Sequence, residues 1–103
     1  MSGELTITSH AGASHVTITL AGELDGYTAP RLRAAIEGAG SDVAAITLDV
    51  AGVSFIDSTG ISILVWAHKR VAEQGGELVL RGPRPDVYRV LEITRLNHVF
   101  RIE

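Results

Sequence analysis

Apolar and polar residues alternate strictly in three runs of the chain. Leu5 and Ile7 alternate with Thr6 and Thr8. Val16, Ile18 and Leu20 alternate with Thr17 and Thr19, and Ile46, Leu48 and Val50 with Thr47 and Asp49. A period of two puts every second side chain on one face, so each run predicts a strand with one buried side. His10-Ala11-Gly12-Ala13-Ser14 is turn-like and makes the first two strands an antiparallel hairpin. Gly22-Glu23-Leu24-Asp25-Gly26 then breaks the alternation. At Thr28-Ala29-Pro30 the pattern predicts a helix start, because Thr28 is able to cap and a proline in the first turn forfeits no helical hydrogen bond. Leu32, Ala35, Ile36 and Ala39 recur at helical spacing, and Gly38, Gly40, Ser41 and Asp42 end the helix.

After the third strand comes a loop, Ser54-Phe55-Ile56-Asp57, and then the longest helical run, Ser58 to Gln74. At about 100° per residue, Ile61, Leu64, Val65, His68, Val71 and Ala72 share one side, the predicted buried stripe. Ser62, Ile63, Trp66, Arg70 and Glu73 share the other. That second side is expected to be polar, yet it carries Ile63 and the single tryptophan, Trp66. Tryptophan is enriched at interface hot spots, so this side is a candidate contact face. Gly75-Gly76 stops the helix. Glu77 to Arg81 predicts a fourth strand. Gly82-Pro83-Arg84-Pro85 is a turn, and a short helix from about Asp86 sets Val87, Val90 and Leu91 on one face. His98 to Ile102 predicts a last strand. Strands alternating with helices predict an α/β fold, its sheet largely parallel after the opening hairpin.

Length and composition narrow the functional classes. A chain of 103 residues is one domain, 1–103, with room for one core. Hydrophobic residues at 46% and charged residues at 20% predict a folded globule. The net charge of -3 and the lack of a basic run argue against nucleic acid as a partner. There is no cysteine, which excludes disulfides, thiolate metal sites and cysteine catalysis. Met1-Ser2-Gly3-Glu4 does not open a signal peptide, and no apolar run approaches the roughly 18 residues of a membrane span. A soluble cytoplasmic protein without direct membrane binding is expected.

The candidate chemistry gathers at Asp57-Ser58-Thr59-Gly60. Here a carboxylate and two hydroxyls meet a helix start, where backbone N–H groups lack partners and the dipole is positive. Local chemistry alone favours a cap formed by Asp57, Ser58 or Thr59. A serine nucleophile is disfavoured, because the surroundings of Ser58 are not Gly-x-Ser-x-Gly and His10, His15, His68 and His98 are scattered. His68 falls on the predicted core stripe, where a hydrogen-bonded buried histidine is expected. Histidines and carboxylates show no metal-ligand spacing. Glu23, Asp25, Asp49 and Asp57 are a candidate acidic rim at one end of the sheet. No nucleotide-binding glycine fingerprint is present, and the nearby acids disfavour an anion. Neither a metal nor a cofactor is implied.

Gly22-Glu23-Leu24-Asp25, Leu48-Asp49, Phe55-Ile56-Asp57-Ser58-Thr59-Gly60-Ile61 and Gly75-Gly76-Glu77-Leu78 together closely resemble STAS domains, over essentially the whole chain. The resemblance is specifically to anti-sigma factor antagonists of bacterial stress-response and sporulation pathways. It implies a mixed sheet of about five strands with helices mainly on one face. It also implies a binding protein rather than an enzyme. Such proteins, when unphosphorylated, bind an anti-sigma factor that is also an ATP-dependent serine kinase, and so release a sigma factor. The kinase phosphorylates the serine after the Asp, and a PP2C-type phosphatase removes the phosphate. Carried onto this sequence, the acceptor is Ser58, with Thr59 as the second choice. Glu23, Asp25, Asp57, Ser58, Thr59, Ser62, Ile63 and Trp66 become the partner-binding set, on a monomer or weak dimer. The sequence departs from its relatives in three ways. They usually continue into a further amphipathic helix past the last strand, many have glycine at Ser62, and small residues are frequent at Trp66. A STAS accessory subunit of a lipid or anion transporter, or a stressosome-type scaffold, is the alternative reading.

Overall fold

A computed structural model describes residues 4–40 and 43–103. The elements run β1 (Leu5–Ala11), β2 (His15–Leu24), α1 (Ala29–Gly38), β3 (Ala45–Ile56), α2 (Ser58–Glu73), β4 (Glu77–Arg81), α3 (Pro85–Ile93), a 3-10 turn (Leu96–His98) and β5 (Arg101–Ile102). Met1 to Gly3, and Ser41 and Asp42 of the predicted first helix end, lie outside the described residues.

The strands form one sheet in the order β1-β2-β3-β4-β5. Only β1 and β2 are antiparallel; the other three pairings are parallel. Each parallel step moves one strand further in the same direction through a helical crossover. Such crossovers are right-handed almost without exception, so the helices arrive on the same side of the sheet. That side carries the alternating apolar residues of the sequence. Ile18, Leu20, Leu48, Leu80, Leu32, Leu64 and Leu91 are all essentially inaccessible and meet in one core. The opposite face of the sheet is polar where Thr17, Thr19 and Asp49 stand. Thr47 is buried on that face and bonded to His15 Nε2 at 2.8 Å.

Several predicted boundaries move. β1 includes His10 and Ala11, which the sequence suggests as a turn. β2 continues through Gly22-Glu23-Leu24, and β3 runs on through Ser54-Phe55-Ile56, a stretch predicted as loop. The two strands pair as far as Leu24↔Ile56, with register shifts between Thr19 and Ala21 and between Gly22 and Glu23. A bulge inserts a residue and changes the phase of alternation, which hides the continuing strand from a period-two reading. The last strand is Arg101–Ile102, because a 3-10 turn over Leu96–His98 occupies the start of the predicted run.

Helix α2 ends as its glycines predict. Gly75 takes φ 79°. The Gly76 N–H donates to Val71 O at 2.9 Å and the Gly75 N–H to Ala72 O at 3.0 Å. This paired closure satisfies carbonyls left open at the helix end and favours glycine at the left-handed position.

Candidate functional site

The start of α2 is built on Asp57, the last residue before the helix. Its backbone is extended, and its Oδ1 accepts the Gly60 N–H at 2.8 Å. The Asp57 carbonyl accepts from Ile61 at 2.9 Å, opening the helical ladder. Of the three cap candidates, Asp57 therefore takes the role. Ser58 becomes the first helical residue and Thr59 the second, and both are exposed. Among the described residues, nothing hydrogen-bonds to the Ser58 hydroxyl. Its carbonyl accepts the Ser62 hydroxyl at 3.0 Å.

Gly60 fixes where this helix start sits. It is buried, and a Cβ there would collide with Leu24 O and come within 2.7 Å of Ile56 Cγ1. Only a residue without a side chain lets α2 approach the ends of β2 and β3 so closely. The Asp57 N–H donates to Leu24 O at 3.3 Å and ties the two ends together. The loop after β2 is thereby set beside the helix start.

That loop is locked by Asp25 and Thr28. Asp25 is 8% exposed, and its Oδ1 accepts the N–H groups of Tyr27 at 2.9 Å and Thr28 at 3.1 Å. Thr28 donates its hydroxyl to Glu23 O at 2.8 Å and accepts the Asp25 N–H at 3.0 Å. The expected Thr28 side-chain cap is thus corrected: its hydroxyl faces back into the loop, and Asp25 O accepts the Ala29 N–H at 2.8 Å. Asp25 holds the loop in shape through its side chain as well as adding charge.

Between the loop and the helix start lies a cleft of about 650 Å³. Glu23, Asp25 and Asp57 line it, with Gly26, Tyr27, Ser54 and Phe55. Among the described residues, neither a histidine nor a basic side chain lines it. Asp49, the fourth acid of the expected rim, stays apart on the polar sheet face, where it accepts the Ala51 N–H at 3.1 Å. Among the described residues, no group of three histidines or carboxylates is placed to hold a metal ion.

The STAS domain family model matches residues 4–103. The chain belongs to the STAS domain family. A relative from Listeria monocytogenes, an anti-sigma-B factor antagonist, is 37% identical over 86% of this chain and 79% of its own length. The crystal structure of an anti-sigma factor antagonist from Mycobacterium paratuberculosis superposes with a TM-score of 0.81 at 27% identity, over 96% of this chain and 85% of that one. The Bacillus cell fate determinant SpoIIAA in its phosphorylated form shares the fold, with a TM-score of 0.75 at 24% identity over 95% and 91% of the two chains.

This STAS domain differs from the sequence reading on the faces of α2. The buried positions are Gly60, Ile63, Leu64, Ala67 and Val71. Ile63, expected on the outward face, is 8% exposed and belongs to the core. It supports the helix from beneath. Trp66 is half-buried against the core, with Arg33 Cζ 4.6 Å and Arg70 Cζ 5.7 Å from its ring centroid. Ile61, Val65 and His68 are half-buried, and Ala72 is exposed. His68 is not hydrogen-bonded as expected: its Nδ1 has no partner among the described residues, and its ring meets Phe100 edge-on at 5.7 Å.

Two cleft residues lie outside the predicted partner-binding set. Tyr27 is 73% exposed and Phe55 50% exposed, in a protein with few aromatic residues. Their positions, immediately after Gly26 and shortly before Ser58, were the available signal.

Proposed function

We propose that this STAS domain is an anti-sigma factor antagonist whose partner binding is switched off by phosphorylation of Ser58. One observation carries the reading. Asp57 does the capping, so the Ser58 hydroxyl stands exposed and uncommitted at a helix start beside an acidic, aromatic-edged cleft.

The partner is an anti-sigma factor that is also a serine kinase. Unphosphorylated protein binds it through Glu23, Asp25, Asp57, Ser58, Thr59, Ser62 and Trp66, with Tyr27 and Phe55 added at the cleft. The sigma factor is thereby released. In the transfer step the Ser58 oxygen attacks the γ-phosphorus of ATP, the bond to ADP breaks, and a base of the kinase takes the hydroxyl proton. A PP2C-type phosphatase hydrolyses the phosphoserine and resets the switch. These events belong to the cytoplasm.

The switch is electrostatic. A phosphoserine carries about -1.5 to -2 charges. At the first turn of a helix an anion is tolerated, by roughly 0.3–1 kcal/mol in its favour, so the fold persists. Against a partner shaped to the neutral hydroxyl, the same charge must be desolvated, which costs several kcal/mol. Each ~1.4 kcal/mol is tenfold in affinity, enough to end binding.

Incubation with ATP and the anti-sigma factor kinase of the same organism, followed by phosphate-affinity electrophoresis, tests this. A mobility shift that disappears in Ser58→Ala is expected. A shift that survives there and vanishes in Thr59→Ala moves the acceptor to Thr59. No shift, with stable binding to a transporter or assembly into large particles, selects the transporter or scaffold reading.

A further inference from the structure

The exposed edge of α2 continues well beyond Ser58. Residues four apart are neighbours on a helix surface, so Ser58, Ser62, Trp66 and Arg70 form one ridge. Ser58 and Ser62 are exposed, and Trp66 and Arg70 are half-buried. Trp66 lies about 12 Å along the axis from Ser58, at 1.5 Å per residue. From the neighbouring helix α1, Arg33 leans over the same indole that Arg70 approaches from within α2.

Two guanidinium groups over one aromatic ring are an unusual concentration of donors. Stacking occupies the flat face of a guanidinium and leaves its N–H edges free. Among the described residues Arg33 pairs with one carboxylate, Glu37, at 3.9 Å, the outer limit of an ion pair, and its side chain is 53% exposed. Arg70 makes no salt bridge or side-chain hydrogen bond among the described residues. The ring restrains both side chains, so less rotamer freedom is lost when they bind.

We propose that Arg33 and Arg70, held over Trp66, are a carboxylate-binding anchor at the far end of the docking ridge and receive an acidic segment of the anti-sigma factor. This rests on the reading of Ser58 as the centre of the docking surface. A standard interface of about 800 Å² per partner is roughly 30 Å across, so a partner centred on Ser58 reaches Trp66. Charge selects the class of occupant. Glu23, Asp25 and Asp57 lie at the Ser58 end, the guanidinium pair lies at the other, and the net charge is -3. A polyanion such as nucleic acid or a lipid surface, spanning both ends, is repelled by the acids. A protein with cationic groups opposite the cleft and carboxylates opposite the arginines fits both.

The test titrates calorimetrically the anti-sigma factor that wild-type protein binds. It compares wild type with the pairs Arg33→Glu/Arg70→Glu and Arg33→Gln/Arg70→Gln. Reversal of charge is expected to weaken binding at least about tenfold, and the neutral pair about threefold or more. Ser58 phosphorylation at saturating anti-sigma factor should persist in both. Unchanged affinity in both pairs overturns the anchor and leaves the Ser58 reading intact. If circular dichroism shows the glutamate pair unfolded, the glutamine pair decides alone: a loss supports the anchor and no change overturns it. If wild-type protein binds no anti-sigma factor, the anchor and the reading beneath it both fall.

Discussion

Asp57 Oδ1 accepts the Gly60 N–H at 2.8 Å, and this bond decides which of three adjacent side chains begins α2. The carboxylate caps, and the serine beside it keeps its hydroxyl for other chemistry. Replacing a capping aspartate by alanine costs about 1 kcal/mol. For a domain of this size that lowers the melting temperature by roughly 4–8 °C. Asparagine caps about as well as aspartate, so Asp57→Asn should retain stability while removing one acid from the cleft. Thermal denaturation of the two variants separates the cap from the charge. Equal stability of Asp57→Ala and wild type would refute the cap.

Gly60 brings the backbone of α2 directly against the Leu24 carbonyl. In Gly60→Ala, the added methyl meets the Leu24 carbonyl, which belongs to a paired strand end and has little freedom to yield. Overpacking of this kind costs about 1–3 kcal/mol. Urea denaturation should show that loss. The displaced helix start should also bind the anti-sigma factor less well. Wild-type stability in this variant would mean that the contact is not a constraint.

Ile63→Ala should behave as a core truncation. The side chain is 8% exposed and packed in the main cluster. Truncating a buried isoleucine costs about 2–5 kcal/mol, against the few tenths expected at a surface position. Denaturant titration distinguishes the two at once.

The error over Ile63 has a physical cause. Ile61, Leu64, Val65 and His68 dominate a helical wheel by size. The contact face is instead marked by the smallest residues, Gly60 and Ala67, because the backbone comes closest there. Counting them rotates the buried stripe by about 80°, at 100° per residue, and carries Ile63 inside. A second packing surface adds to this, since α2 packs against α1 as well as the sheet.

The core strands were legible because one side of each is covered and the other is polar, as at Ile18 and Thr17 or Leu48 and Thr47. Their extensions at Glu23 and Phe55 were not, since register shifts break the alternation. At the site, the concentration of Asp57, Ser58 and Thr59 at a helix start was plain in the sequence, but three equivalent cap candidates were not separable there. The cleft was only partly visible: its acids were suggested, whereas the exposure of Tyr27 depends on how the loop folds around Asp25, and that of Phe55 on the extension of β3 beyond the register shifts.

The affinity of the anti-sigma factor for unphosphorylated and Ser58-phosphorylated protein, measured side by side, tests the central claim most directly. An interface penalty of several kcal/mol predicts binding weaker by at least about a hundredfold after phosphorylation. The two forms should melt within a few degrees of each other, because a helix start accommodates the anion. Equal affinity for the two forms would contradict the switch.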